Sequence, residues 1–137
     1  MSYKLFLDDI RNPDWLYDDY NEWIVVRTPD DFKNIIIEKG VPDIISFDND
    51  LGIDNLTKEI LPDGYACLNW LIDNSYYIKS IIVHSDNIIA NEQIYGKSLN
   101  WHKFLISEKI LNSEDLFVLK RMSMNNLREE YKKRETN

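Results

Sequence analysis

Five runs of four or five residues, apolar nearly throughout and rich in β-branched and aromatic side chains, recur along this chain with helix-patterned stretches between them. They are Lys4-Leu5-Phe6-Leu7, Trp23-Ile24-Val25-Val26, Asp43-Ile44-Ile45-Ser46-Phe47, Ser80-Ile81-Ile82-Val83-His84 and Leu116-Phe117-Val118-Leu119-Lys120. Strands that alternate apolar with polar residues face water on one side, whereas runs like these read as strands buried on both faces. Strand and helix in alternation predict a βαβ architecture with a largely parallel sheet covered on both sides. At 137 residues the chain is expected to be one domain, residues 1–137.

The clearest helix follows the second run. Thr28 stands as its cap, Pro29 suits the first helical position, Asp31 completes a Thr-x-x-Asp capping pattern, and Gly40 stops it. Its apolar side is Phe32, Ile35 and Ile36. A second helix is expected from near Asp63, with Tyr65, Leu68, Leu71 and Ile72 at helical spacing and Asn74-Ser75 at its end. Residues 88–111 hold one or two helices, with Gly96-Lys97-Ser98 as the expected break. The last helix runs from about Met124 to Arg134 behind Ser123 as cap. Two segments read as loops: the one between the first two runs, dense in Asp and aromatics, and Leu51 to Pro62. Loops of this length in compact domains usually carry function or move.

Acidic or polar residues end four of the strands. The first run ends in Asp8-Asp9, the third in Asp48-Asn49-Asp50, the fourth in His84-Ser85-Asp86-Asn87 and the fifth in Lys120. In an open parallel sheet all carboxyl ends lie on one edge, where ligands bind at the point of strand-order reversal. Carboxylates massed there repel one another unless a cation sits among them, and hard oxygen ligands suit Mg2+ or Mn2+. A phosphate is the natural companion, with Ser85 and Lys120 as donor and compensating charge.

Leu7-Asp8-Asp9-Ile10-Arg11-Asn12-Pro13, Ser46-Phe47-Asp48-Asn49-Asp50-Leu51-Gly52, Asp63-Gly64-Tyr65 and Val83-His84-Ser85-Asp86-Asn87, in that order, resemble the signature blocks of the cyclic-phosphate processing receiver-like domains. These are bacterial and phage relatives of response-regulator receivers. The resemblance implies a flavodoxin-type three-layer α/β sandwich, five strands in the order 2-1-3-4-5. It also implies receiver roles for Asp8, Asp9 and Asp48 in holding a divalent metal, for Asp48 as a phosphorylated residue, and for Ser85 and Lys120 at the ends of strands four and five. Three departures stand out. Asn49 occupies a position where this subgroup often has histidine, Pro13 to Asn21 is too short and broken for the helix of ordinary receivers, and Arg121 follows Lys120 where receivers usually have proline.

The resulting expectation is a magnesium-dependent phosphoryl-group enzyme acting on a phosphate ester such as a cyclic phosphate of an RNA end or nucleotide. Asp8, Asp9, Asp48 and Asp50 are assigned to the metal, and Asp48, His84, Ser85 and Lys120 to catalysis, with His84 moving a proton. Arg11 and Asn87 are assigned to substrate, although Asn87 equally suits a helix cap and Arg11 a surface pair with Asp14. The alternative is a non-catalytic module that binds phosphate, a nucleotide or a host protein. A calcium loop from Asp48 to Glu59 is disfavoured because its glycine is misplaced by one position and no helix precedes it. Trp15, Tyr17, Tyr20 and Trp23 either stack on bases or fold back onto the core, and His102 reads as a packing residue.

Composition narrows the partners. Sixteen basic against twenty-four acidic residues give a net charge of −8, which opposes broad, sequence-independent binding to duplex nucleic acid. The basic stretch after Lys120 reads as a solvated helix face, or else as a docking face for RNA or an acidic protein partner. A single cysteine, Cys67, suits a reducing compartment. The amino terminus has neither the apolar length of a signal peptide nor that of a membrane anchor, so the expected location is the cytoplasm, a host's if the chain is phage-encoded.

Overall fold

A computed structural model describes residues 2–52, 56–121 and 124–135. Each apolar run is a strand: β1 (Lys4–Leu7), β2 (Trp23–Val26), β3 (Ile44–Phe47), β4 (Ser80–Val83) and β5 (Phe117–Lys120). They form one parallel sheet in the order β2-β1-β3-β4-β5, the receiver or flavodoxin-like arrangement. Leu7 pairs in register with Val26 and Phe47, Phe47 with Val83, and Val83 with Lys120, so the strands finish flush. Whatever follows those residues is thereby gathered on one edge.

The helices are α1 (Pro29–Lys39), α2 (Gly64–Asp73), α3 (Ile88–Ser107) and α4 (Met124–Glu135). Three begin on side-chain caps: Thr28 accepts from the Asp31 amide, Asp63 from Ala66 and Asn87 from Ala90. The expected break at Gly96-Lys97-Ser98 does not occur, and α3 runs through it for twenty residues. Gly96 lies where a Cβ would meet nothing within 4 Å, so it costs only about 1 kcal/mol of helix propensity, which the packing of Ile94, Trp101 and Leu105 outweighs. The cap expected at Ser123 lies outside the described residues, as does the part of the Leu51–Pro62 loop that contains Asp54.

The pleat divides the strand residues between two unequal faces. Leu5, Leu7, Ile45, Phe47, Ile81 and Val83 point to the face covered by α1, α2 and α3. Phe6, Ile44 and Ile82 point to the other, where Leu127 and Tyr131 of α4 meet Leu16, Tyr17 and Trp23. On that second face the helix that ordinary receivers carry after the acidic pair is absent, and single 3₁₀ turns at Pro13–Trp15 and Tyr20–Glu22 stand there. Aromatic area fills the gap: Tyr17 stacks on Trp23 at 4.7 Å and 12°, and its centroid lies 4.7 Å from that of Tyr131. Arg128 of α4 fixes the loop by donating to the carbonyls of Leu16 at 3.0 Å and Trp15 at 2.9 Å. At least part of the basic C-terminal segment is thus engaged within the chain. Among the described residues no helix is long and apolar enough to cross a membrane.

Candidate metal and phosphate site

Asp8 and Asp48 each follow the last residue of a central strand, and their backbone amides continue the ladder, Asp8 to Val26 and Asp48 to Leu7. One acceptor oxygen from each of Asp8, Asp9 and Asp48 lies within 4.8 Å of the others. Asp50, exposed, stands at the rim of the same cavity of about 330 Å³, which Arg11 and Trp15 also line. The sheet topology therefore unites all four carboxylates assigned to the metal, with three close enough to share one ion.

The three carboxylates differ electrostatically. Burial pushes Asp8 up, but donation from His84 and from the amides of Ile10 and Arg11 outweighs it and brings the carboxyl down to about 2. Asp48 is 8% exposed and accepts from the Asn49 amide at 2.8 Å. Burial first, and then the charge of Asp8, pushes it up to about 7. Asp9 is raised for the same two reasons. An ionised aspartate beside two that resist ionisation is a site lacking positive charge, and a hard divalent ion supplies it. The donor set fits Mg2+ or Mn2+.

His84 does not stand in the crevice. The imidazole has no exposed surface, lies flat on Phe6 at 4.6 Å and 7°, and bonds through both nitrogens, Nε2 to Asp8 at 2.9 Å and Nδ1 to Ser46 Oγ at 2.7 Å. Burial holds its pKa below the ordinary histidine value, so the ring is neutral. With ionised Asp8 as acceptor, Nε2 carries the proton. Nδ1 then accepts from the Ser46 hydroxyl, which accepts in turn from Tyr17 at 2.7 Å. The expectation that His84 moves a proton to or from a ligand is corrected: strand parity sends it into the second core face with Phe6 and Ser46, where it orients Asp8.

This relay was not visible in the sequence as a site. Its one local signal is Ser46, the polar member of an otherwise apolar buried strand. Ser46→Ala would leave His84 Nδ1 and the Tyr17 hydroxyl buried without partners, an expected loss of about 1–3 kcal/mol in urea unfolding. An unchanged midpoint and slope would show that the relay carries no stability.

Lys120 is corrected as well. It ends β5 opposite Val83 as expected, but the pleat turns its side chain to the α3 face, where the amine pairs with Glu92 at 2.6 Å and lies over Tyr95. The next residue, Arg121, faces the strand-end crevice and pairs with Asp86. Arg11 pairs with the other oxygen of Asp86 and lies 3.9 Å from Asp8. Ser85 lines a second cavity of about 200 Å³ beside Asp86 and Arg121, its hydroxyl oxygen accepting from the Asn87 amide at 3.1 Å. Asn87 spends its side-chain oxygen capping α3, which bears out its cap reading.

Asn49 is 5% exposed and ties the loop to α2. Its Oδ1 accepts from Tyr65 and its Nδ2 donates to Asp50, while its carbonyl accepts from the Gly64 amide. The Asp63-Gly64-Tyr65 block thus meets the loop beside the aspartate cluster through its backbone amides. Of the loop aromatics, Tyr17 and Trp23 belong to the core, whereas Trp15 is 49% exposed at the cavity. His102 is buried, with Nε2 donating to Ile78 O, so neither histidine of the chain reaches the crevice.

Comparison with curated proteins finds no match, and comparison with solved structures finds none either. The model of one protein family, described as the cyclic-phosphate processing receiver domain, matches residues 3–100, a span that holds β1 to β4, both aspartate-bearing strand ends and the Ser85-Asp86 turn. With the 2-1-3-4-5 sheet and the aspartate triad at its carboxyl edge, that match makes the chain a member of the cyclic-phosphate processing receiver domain family.

Proposed function

We propose that this domain is a magnesium-dependent phosphoryl-group enzyme acting on a phosphate ester, with a cyclic phosphate of an RNA end or nucleotide as its substrate class. The observation that carries the reading is the convergence of Asp8, Asp9 and Asp48 on one point beside the Arg11 guanidinium, in a cavity large enough for a phosphoribosyl group. Asp8, Asp9 and Asp48 would hold Mg2+ or Mn2+, with Asp50 orienting the water shell from the rim. An ion held there would supply charge for phosphoryl oxygens and would make a bound water more acidic. Arg11 binds phosphoryl oxygens through its fork. Asp48, which lines the cavity beside Asp8 and Asp9, would take a proton from a water, or attack phosphorus itself as one P–O bond of the ester breaks and its oxygen leaves as a hydroxyl. Trp15 offers an exposed ring on which a base can stack.

One observation favours a second reading, a phosphate- or nucleotide-binding sensor without turnover. Asn49 is consumed as a tie between loop and helix, and His84 is sealed beneath Asp8, so the crevice has no imidazole for proton transfer.

A single screen separates the readings: 2′,3′-cyclic nucleotides, RNA ends bearing a cyclic phosphate, and acetyl phosphate, each with magnesium and with EDTA. Magnesium-dependent ring opening is the expected result. Stoichiometric labelling of Asp48 by acetyl phosphate would identify a phospho-receiver, and saturable binding without turnover a sensor. Indifference of every ligand to magnesium would end the enzyme reading.

A further inference from the structure

The two cavities at the strand edge share one wall, and that wall is Asp86. Its carboxylate is gripped on one oxygen by Arg11 and on the other by Arg121. We propose that this arginine pair is a second phosphate subsite, closed in the ligand-free protein by Asp86, and that it takes a phosphate one ribose away from the group held at the aspartate triad. The assignment rests on the functional reading above and narrows its substrate class to an RNA end or 5′-phosphorylated nucleotide.

Three observations carry it. First, both arginines are anchored at the backbone and largely covered: the Arg11 amide donates to Asp8 Oδ1 at 2.8 Å and the Arg121 amide to Val83 O at 2.8 Å, and the Arg11 guanidinium also reaches His84 O at 3.4 Å. Second, Asp86 is the carboxylate that Arg121 meets at this cavity, since the other acid there, Glu92, is paired with Lys120, while Arg11 is shared between Asp86 and Asp8. A terminal 5′-phosphate brings up to two charges and three free oxygens where Asp86 brings one and two, and a phosphodiester matches the carboxylate with one charge and two free oxygens. Third, Asp86 is free to leave. Its side chain is 59% exposed at the turn before α3, and exposed ion pairs hold weakly against water. When it swings out, the cavities of about 200 and 330 Å³ become one trough.

Spacing supplies the substrate class. Arg11 touches both ends, 3.9 Å from Asp8 on one side and in contact with Asp86 on the other, so the second anion lies within one arginine of the first. The cyclic phosphate of an RNA end and the phosphodiester on the 5′ side of the same ribose are separated on that scale. A nucleoside cyclic phosphate without a 5′-phosphate leaves the arginine pair to Asp86.

The test begins with inorganic phosphate in EDTA at fixed ionic strength, titrated calorimetrically into the wild type, Asp86→Asn and Asp86→Asn/Arg121→Gln, with circular dichroism to verify folding. Asp86→Asn should bind phosphate about tenfold more tightly than the wild type, since the amide no longer competes with the anion, and the second change should remove that gain. Equal affinity in the wild type and Asp86→Asn, or a gain that survives Arg121→Gln, would overturn the subsite.

A second arm adds magnesium and compares adenosine 2′,3′-cyclic phosphate with its 5′-phosphorylated form. The 5′-phosphate should improve wild-type affinity about tenfold, and Arg121→Gln should abolish that advantage. Equal affinities for the two ligands would overturn the assignment to a second substrate phosphate. Failure of both nucleotides to bind while the phosphate result holds would overturn the functional reading and leave the anion site established.

Discussion

Asp48→Asn should make the metal-free protein more stable than the wild type and leave it indifferent to magnesium. In the folded chain burial and the charge of Asp8 hold the Asp48 carboxyl near 7, whereas in the unfolded chain it ionises near 3.8. The folded state therefore keeps a proton that the unfolded state sheds. Relative to Asp48→Asn, which keeps the two buried histidines and lacks this carboxyl, wild-type stability should fall as pH rises from about 4 to about 7, the window between those values, and stay at the lower level above it. Asparagine carries no charge to disfavour and keeps an oxygen for the Asn49 amide. At pH 8 in EDTA the gain should be about 2–4 kcal/mol, a rise of several degrees in Tm, while at pH 4 the two proteins should melt together. A magnesium dissociation constant of about 1 mM would add roughly 1.4 kcal/mol to the wild type at about 10 mM, and nothing measurable to the variant. A variant that melts below the wild type at pH 8 in EDTA would mean that Asp48 is a structural turn residue.

The contrast between Asp8 and Asp48 shows how much of this site the sequence could express. That both end central strands follows from apolar runs of the right length, because parallel strands in register leave their next residues on one edge. That one is held ionised and the other is not depends, beyond the local amides of Ile10 and Arg11, on neighbours distant in the chain: His84, Ser46 and Tyr17 beneath Asp8, and for Asp48 a buried position facing Asp8's charge. Nothing local to Asp8 encodes those partners. The same limit explains Lys120 and Arg121. A motif assigns a lysine to the end of strand five, but a shift of one residue exchanges the faces of a strand, and the pleat gave the crevice to Arg121. Capping, by contrast, is a contact across three residues and more legible: Thr28 caps as expected, Asn87 takes the cap that was one of its two readings, and the helix expected from near Asp63 starts on Asp63 as its cap. Gly96 misled because a glycine inside a helix is a break signal only where no packing on either side holds the helix together.

Two glycine-to-alanine changes should move stability in opposite directions. Gly64 opens α2, and a Cβ built there would stand 2.0 Å from the Asp48 carbonyl oxygen and 3.0 Å from Asn49 Cα. Both are backbone atoms, so no side chain can rotate away. To admit the methyl group the strand-end loop must retreat, stretching the 2.8 Å bond from the Gly64 amide to Asn49 O and the bond from Tyr65 N to Asn49 Oδ1. Alanine's advantage in helix propensity, about 1 kcal/mol, is small beside that displacement, and Gly64→Ala should destabilise by about 2–4 kcal/mol. Because the loop carries Asp48, magnesium affinity should fall at least about tenfold in whatever fraction still folds, a small shift of a ligand sufficing to spoil a site built on geometry. Gly96→Ala is the matched control. It lies mid-helix in α3 with open space where the Cβ would go, and should stabilise by about 0.5–1 kcal/mol without changing magnesium affinity. Urea unfolding of both variants, followed by magnesium titration of each, decides the point. If Gly64→Ala gains stability as Gly96→Ala does and binds magnesium as the wild type does, the close approach of α2 to the Asp48 loop does not position the metal site.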